Sequence, residues 1–382
     1  MSTGLLKREL SLRPARRPKA KPTSKPKTKT KTPGTHRRVV GLKIGASQLS
    51  AAVVTNNGAP TLTQVAREPL ADGIVVGGEL REPLALAEAL KAFFGKHKLP
   101  TRGVRLGIAN NRIGVRTFEL PDVDPKQLEN AIRFRAQDAL PIPVEEAVLD
   151  YHVLDERFGE STPRVLLVVT YRELVDGFAG ACRTAGLTLA GIDLEAFGLL
   201  RALNAPGDAS APARDAALVA VAIGHERSTV AVTNGRSCEL TRVVDWGGAN
   251  LDRAIARALN IPADEAPALK HGLSLGSAQE STEDARADRA REVVVRELHG
   301  FARQLVSSLH FYQTQPGALE IGEVVVTGGT SQLPGLANEL GRLVGAPVRV
   351  GDPLGRVTLG KKVEINDHLG SLAVAIGLGI ED

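Results

Sequence analysis

The stretch "RVVGLKIGASQLSAAVVTNNGAPTLTQVARE" at 38–68 returns in outline at 216–248 as "AALVAVAIGHERSTVAVTNGRSCELTRVVDWGG". Each copy reads as strand, small-residue turn, strand, Thr-Asn-Gly turn, strand, because apolar β-rich runs punctuated by Gly and Asn form meanders. The first copy leads into "LREPLALAEALKAFFGKHK" at 80–98, whose apolar residues recur every three or four positions and predict a helix. Two copies of one βββ-helix unit constrain the chain to a duplicated two-lobe α/β fold with a cleft between the lobes. At 382 residues it is long enough for a core in each lobe.

Between and beyond the copies the pattern continues. Strands are predicted at 103–109 and 114–120, then a helix at 124–140 that opens with Asp124 as N-cap and Pro125 at its first position. "AVLDYHVLD" and "RVLLVVTY" read as strands, 172–186 as a helix with a glycine stop, and 189–203 as a strand running into a helix. The Pro/Ala/Gly/Asp-rich 204–215 is the predicted linker, which sets lobe one at 38–203 and lobe two at 216–360, with a closing helix at 361–382 returning to lobe one. The polar 276–290 predicts an exposed loop leading into a helix from about 291. Trp246, the only tryptophan, is expected to plug a core.

Charge separates the start of the chain from the rest. Residues 1–38 hold seven Lys and six Arg against Glu9 alone, a balance of +12 that leaves −7 for the remainder of a chain of net charge +5. The first 37 residues are predicted to stay disordered, since they offer too little apolar surface to offset ordering entropy. Such a tail can hold an anionic membrane surface. It has no aromatics on which bases would stack, so nucleic acid is not expected. No apolar run reaches the roughly 18–20 residues that span a bilayer; "LGSLAVAIGLGI" at 369–380 is too short. No apolar segment of a signal peptide follows the basic start. A cytoplasmic protein whose membrane contact, if it has one, is peripheral is expected. Cys182 and Cys238 form no disulfide framework or metal spacing and are expected to be buried and inert. Eight histidines are scattered, and the chain has no Ser/His/Asp order, HExxH or P-loop.

One block is more specific: "FELPDVDPKQLENAIRFRAQDALPIPVEEAVLDYHVL" at 118–154. Its ELP-ending strand, helix, Pro-Ile-Pro and Asp-Tyr strand resemble the type IV pilus assembly protein PilM family. That family is related to FtsA and lies within the actin–sugar kinase–heat-shock ATPase superfamily. "AGLTLAGIDLEAFGLLRA" (185–202), "LDRAIARALNI" (251–261), "LVSSLHFYQTQ" (305–315), "VVVTGGTSQLPGLANEL" (324–340) and "HLGSLAVAIGLGI" (368–380) extend the resemblance over nearly all of 38–382. It implies an actin-like, ribonuclease H-like duplicated fold in which about 112–186 form the inserted subdomain. It also implies a partner: the short N-terminal cytoplasmic segment of a PilN-like inner-membrane protein, within a platform of other pilus proteins.

The same resemblance implies an ATP cleft in which two turns grip the phosphates through backbone N–H groups. Here these are Gly45-Ala46-Ser47 and Gly224-His225-Glu226. Lys270 would meet ribose and base, Gly328, Gly329 and Thr330 would form the adenosine turn, and Arg303 and Ser307 would face it. Departures from the pattern are equally specific. The two acids expected to position Mg²⁺ are Lys43 and Ala222, and the glutamate expected beside Lys270 is Pro267, which should disturb its helix. Phosphoryl transfer depends on metal-neutralised charge, so the expectation is a non-catalytic scaffold with weak or absent ATP binding and no catalytic or metal residue. In one variant of this reading the Lys43 ammonium stands in for the cation; in another it faces solvent at the cleft mouth. An active actin-like ATPase driving pilus assembly and an FtsA-like membrane tether are the alternatives. The missing acids argue against the first. Against the second stands a chain that stops at "GIED" with no amphipathic helix after the closing one.

Overall fold

The central strands are near-continuous apolar runs because they are covered on both faces. The computed structural model describes residues 38–119, 127–139, 143–154, 164–203, 216–276, 285–361, 363 and 369–381. In it β1 (Arg38–Ile44), β2 (Gln48–Thr55) and β3 (Thr61–Pro69) form the first meander, with 49–54 of β2 all buried. A short hairpin, β4 (Val75–Val76) and β5 (Glu79–Leu80), precedes α1 (Pro83–Lys96) and β6 (Arg102–Ile108). Then come β7 (Gly114–Glu119), α2 (Leu128–Ala139), β8 (Ala147–Leu154), β9 (Arg164–Tyr171) and α3 (Arg172–Thr184). β10 (Thr188–Leu194) runs directly into α4 (Glu195–Leu203).

The second half opens with β11 (Ala216–Ile223), β12 (Ser228–Thr233), β13 (Cys238–Val244), α5 (Gly248–Leu259) and α6 (Ala266–Gly272). It continues with α7 (Ala285–Gln313), β14 (Glu320–Thr327), α8 (Leu336–Val344), β15 (Val348–Val350), β16 (Thr358–Leu359) and α9 (Ala373–Gly379).

The duplication is present in the sheets. One has the order β10-β6-β1-β2-β3-β16, the other β13-β12-β11-β14-β15. In each, a first strand pairs antiparallel with the second, and the second with the third. On its other side the first strand pairs parallel with a later one, β1 with β6 and β11 with β14. The inserted subdomain is a separate antiparallel sheet, β7-β9-β8, on which Ile132 of α2 packs against Val165, Leu167 and Val169. A mostly buried ion pair, Arg164 to Glu239 at 3.0 Å, ties it to β13.

Two cores result. The lobe-one core runs through α4 onto lobe two, joining Leu199 and Leu203 with Leu218, Ala220 and Val325. The lobe-two core centres on Trp246, buried and stacked on Phe301 at 4.3 Å between ring centroids. Cys182 and Cys238 are buried, and burial pushes both thiols up to about 12. Among the described residues no helix is long and apolar enough to cross a membrane.

The structure departs from the sequence expectation at three points, the first at the end of the chain: the closing helix expected at 361–382 is only α9, Ala373–Gly379, and β16 already rejoins the lobe-one sheet beside β3, inside the stretch expected to be lobe two. α7 begins at Ala285 rather than near 291, because its first turns are polar but rich in good helix formers and already bury Ala290. The β4–β5 hairpin falls in a stretch with no predicted element. Its two-residue turn places Gly77 at φ 58° and Gly78 at φ 71°, left-handed values that a tight hairpin needs and that glycine adopts without a steric cost. The tail at 1–37, the linker at 204–215 and the Asp124-Pro125 helix start lie outside the described residues.

Candidate functional site

The turns after β1 and β11 are built alike. The Gly45 N–H donates to the Gln48 carbonyl at 2.9 Å, and the Gly224 N–H to the Arg227 carbonyl at 2.9 Å. α5 starts against the second turn: the Gly248 N–H donates to the Gly224 carbonyl at 2.9 Å and the Ala249 N–H to that of His225 at 2.8 Å. A Cβ at Gly247 would lie 2.4 Å from the His225 carbonyl oxygen, so the paired glycines of "DWGG" let this helix approach the turn. The third turn enters from β14. Gly328 sits at φ 99°, where a Cβ would lie 2.1 Å from the Ile223 carbonyl oxygen. No other residue fits there.

These three turns enclose one cleft of about 710 Å³. Gly45, Ala46, Ser47, Gly224, His225, Glu226, Lys270, Gly328, Gly329 and Thr330 all line it, as do Lys43, Ala222 and Pro267. Arg303 and Ser307, which the resemblance implies should face the same region, do not. Both are exposed on α7, whose buried face carries Phe301, Ala302, Leu305 and Ser308, and neither lines the cleft. A second correction concerns Pro267. It lies in the first turn of α6, where a missing N–H costs no helical hydrogen bond, so the helix is not disturbed there.

The electrostatics depend on residues that the sequence did not single out. Lys43 does not face solvent: its Nζ lies 3.2 Å from Oε2 of Glu195, and both side chains are mostly buried. Glu195 opens α4 directly after β10, the strand next to β6, and packs over Gly107 of β6, the residue paired with Lys43 across that sheet. Lys270 is buried, with Nζ 2.8 Å from the Asp252 carboxylate and 3.4 Å from the Gly248 carbonyl. Glu226 reaches across the cleft, where its Oε2 accepts the Gly77 N–H at 2.9 Å. Arg227 lies against the same glycines and pairs with Asp245 at 3.0 Å. Arg67 donates to the Ser371 hydroxyl at 2.8 Å, and burial pulls its guanidinium below the ordinary value.

Among the described residues, then, the carboxylates lining the cleft are Glu195, Glu226 and Asp252, and each has a committed partner. No cluster of three His, Cys, Asp or Glu able to hold a metal occurs among the described residues. Mg²⁺ keeps several waters and is held by one or two carboxylates together with phosphate oxygens. With Lys43 and Ala222 at the two expected positions and Glu195 and Asp252 paired with lysines, the one lining carboxylate bonded to no cation among the described residues is Glu226. The backbone turns have the small-residue form that accepts a phosphate chain. Glu195, Asp252 and Arg67 carried no motif of their own; the strand-to-helix step at "DLEAF" marks where α4 begins, not what Glu195 meets.

Comparison with known proteins follows the same lines. The family model for type IV pilus assembly protein PilM matches residues 41–382. The structure is similar to that of a protein in a PilM-PilN type IV pilus biogenesis complex, with TM-score 0.72 and 26% identity over 89% of this chain and 97% of that one. It also resembles ethanolamine utilization protein EutJ from Carboxydothermus hydrogenoformans, with TM-score 0.54 and 16% identity over 91% and 90% of the two chains. For MreB5 of Spiroplasma citri bound to ADP the TM-score is 0.51 and the identity 12%, over 89% and 94%. The last two likenesses are of fold, and the fold is the actin-like one.

Proposed function

The chain belongs to the type IV pilus assembly protein PilM family, and we propose that it serves there as a non-catalytic scaffold. In this reading it captures the N-terminal cytoplasmic segment of a PilN-like inner-membrane protein and holds it at the cytoplasmic face of the assembly platform. Similarity over nearly the full length to a protein of a PilM-PilN complex supports a partner of that kind.

The observation that carries the reading is a second groove, of about 490 Å³, where lobe one, the inserted subdomain and lobe two meet. Ile108 and Asn110 at the end of β6, Ile113 and Arg116 leading into the subdomain, Leu240 of β13 and Phe311 of α7 line it. Phe311 is 48% exposed. A trough that offers apolar and polar side chains in comparable measure suits a short peptide, whose apolar residues bury against Ile108, Leu240 and Phe311 while its polar groups meet the amides and guanidinium groups.

Turnover of ATP has no role in this reading. Neither metal-facing acid is present, and a metal-free site lacks the charge neutralisation that phosphoryl transfer needs. A labelled peptide from the N-terminus of the PilN-like partner should bind the full chain without nucleotide, and Phe311→Ala combined with Arg116→Glu should weaken it about tenfold. Phosphate release from ATP with Mg²⁺ should stay at the rate of the protein-free control. Robust release, or a peptide that binds only during turnover, would overturn the proposal in favour of the active ATPase.

A further inference from the structure

The cleft keeps its three turns while every carboxylate in it is engaged, so its charge has to be read from the cations. Among the described residues these are Lys43, Arg67, Arg227 and Lys270, against Glu195, Glu226 and Asp252. Lys270 and Arg227 are bound to carboxylates at 2.8 and 3.0 Å. Arg67 has only the Ser371 hydroxyl as a partner among the described residues and meets no carboxylate there. Lys43 stands two residues before Gly45, at the foot of the first phosphate-type turn, and its ammonium is fixed toward the cleft by Glu195.

In a metal-dependent cleft a carboxylate holds a cation and the cation holds the phosphates. Here the order carboxylate, cation, phosphate is available with the cation covalently attached. We propose that the cleft takes a nucleoside polyphosphate in its metal-free form, with Lys43 bridging Glu195 and the phosphates and Arg67 as the second counter-charge. An ammonium has three donors and can serve a carboxylate and a phosphate together. Divalent cation is not required here, because the Lys43 ammonium, which stands where a metal-positioning acid is expected, itself supplies the counter-charge. The proposal rests on the reading of the cleft as non-hydrolysing, and peptide capture in the other groove is its separate control.

The test is calorimetry on the full chain with ATP in excess EDTA, repeated with Mg²⁺, with inorganic tripolyphosphate, and on Lys43→Gln and Glu195→Gln. ATP should bind saturably in EDTA, and Mg²⁺ should change Kd by no more than about threefold. Lys43→Gln should weaken binding about tenfold or more, whereas Glu195→Gln should bind at least as tightly, since its competing charge is gone. Each variant is checked first for capture of the PilN-like peptide. If Lys43→Gln fails that check, Lys43→Met with Glu195→Gln removes both charges without leaving one buried alone, and should also lose ATP. A requirement for Mg²⁺, an affinity in EDTA untouched by these variants, or no ATP binding in either condition would overturn the proposal. Tripolyphosphate binding as tightly as ATP would overturn its nucleoside part.

Discussion

Lys43 and Ala222 hold equivalent places in the two lobes. Each lies two residues before the first glycine of its turn, Lys43 paired with Ser50 across the hairpin and Ala222 with Thr229. That they stand where the family resemblance implies acids was legible in the sequence, because the two glycine turns mark those positions whatever residue is found there. The partner of Lys43 was not legible. Glu195 is distant in sequence and reaches Lys43 only because β10 and β6 carry α4 to the edge of the cleft. The same holds for Asp252, which meets Lys270 one helix away. Restoring Lys43→Asp with Ala222→Asp together should turn the cleft into a metal-dependent one. In that double variant, ATP affinity measured by calorimetry should rise about tenfold when Mg²⁺ replaces EDTA. A double variant that folds, captures the partner peptide and shows no dependence on Mg²⁺ would mean that more of the metal site has been lost than two ligands.

At the scale of elements, the meanders were legible because their turns carry strong local signals, and α1, α3 and α4 because their apolar residues follow a helical period. The β4–β5 hairpin was not. Two residues per strand leave no alternation to read, and the pair Gly77-Gly78 gains meaning only when the turn closes onto Glu226 of the other lobe. α9 was legible as an apolar closing segment, but its fit was not. It lies against α4 with no room for side chains at the contact: a Cβ on Gly377 would come 1.7 Å from the Gly198 carbonyl oxygen, and one on Gly198 would come 2.9 Å from Leu378 Cγ. Gly377→Ala should therefore force α9 off α4 and destabilise the protein by roughly 2–3 kcal/mol, as overpacking a tight core does. Urea titration followed by circular dichroism checks this. An unchanged midpoint would show that the contact yields more easily than its geometry implies.

The whole molecule divides its charge between a basic start and an acidic remainder. Residues 1–37 lie outside the described residues, yet their composition supports a prediction. Each basic side chain near an anionic lipid surface contributes about 1 kcal/mol at most, and salt screens that attraction. Deleting 1–37 should abolish salt-sensitive binding to anionic liposomes and leave Tm unchanged. Liposome binding that survives the deletion would move the membrane contact to the folded part.

In the function proposed above, this PilM-family chain captures a membrane protein's cytoplasmic peptide in the groove between lobe one, the inserted subdomain and lobe two, without turnover of nucleotide. Hydrogen–deuterium exchange on the full chain, with and without the PilN-like N-terminal peptide and with no ATP present, tests it most directly. Exchange should slow at 108–116 and at 240–245, the segments that line the groove from both sides, with the turns of the other cleft at 45–47 and 224–226 unaffected. Protection confined to lobe two away from the groove, or protection that develops only with ATP and Mg²⁺, would contradict it.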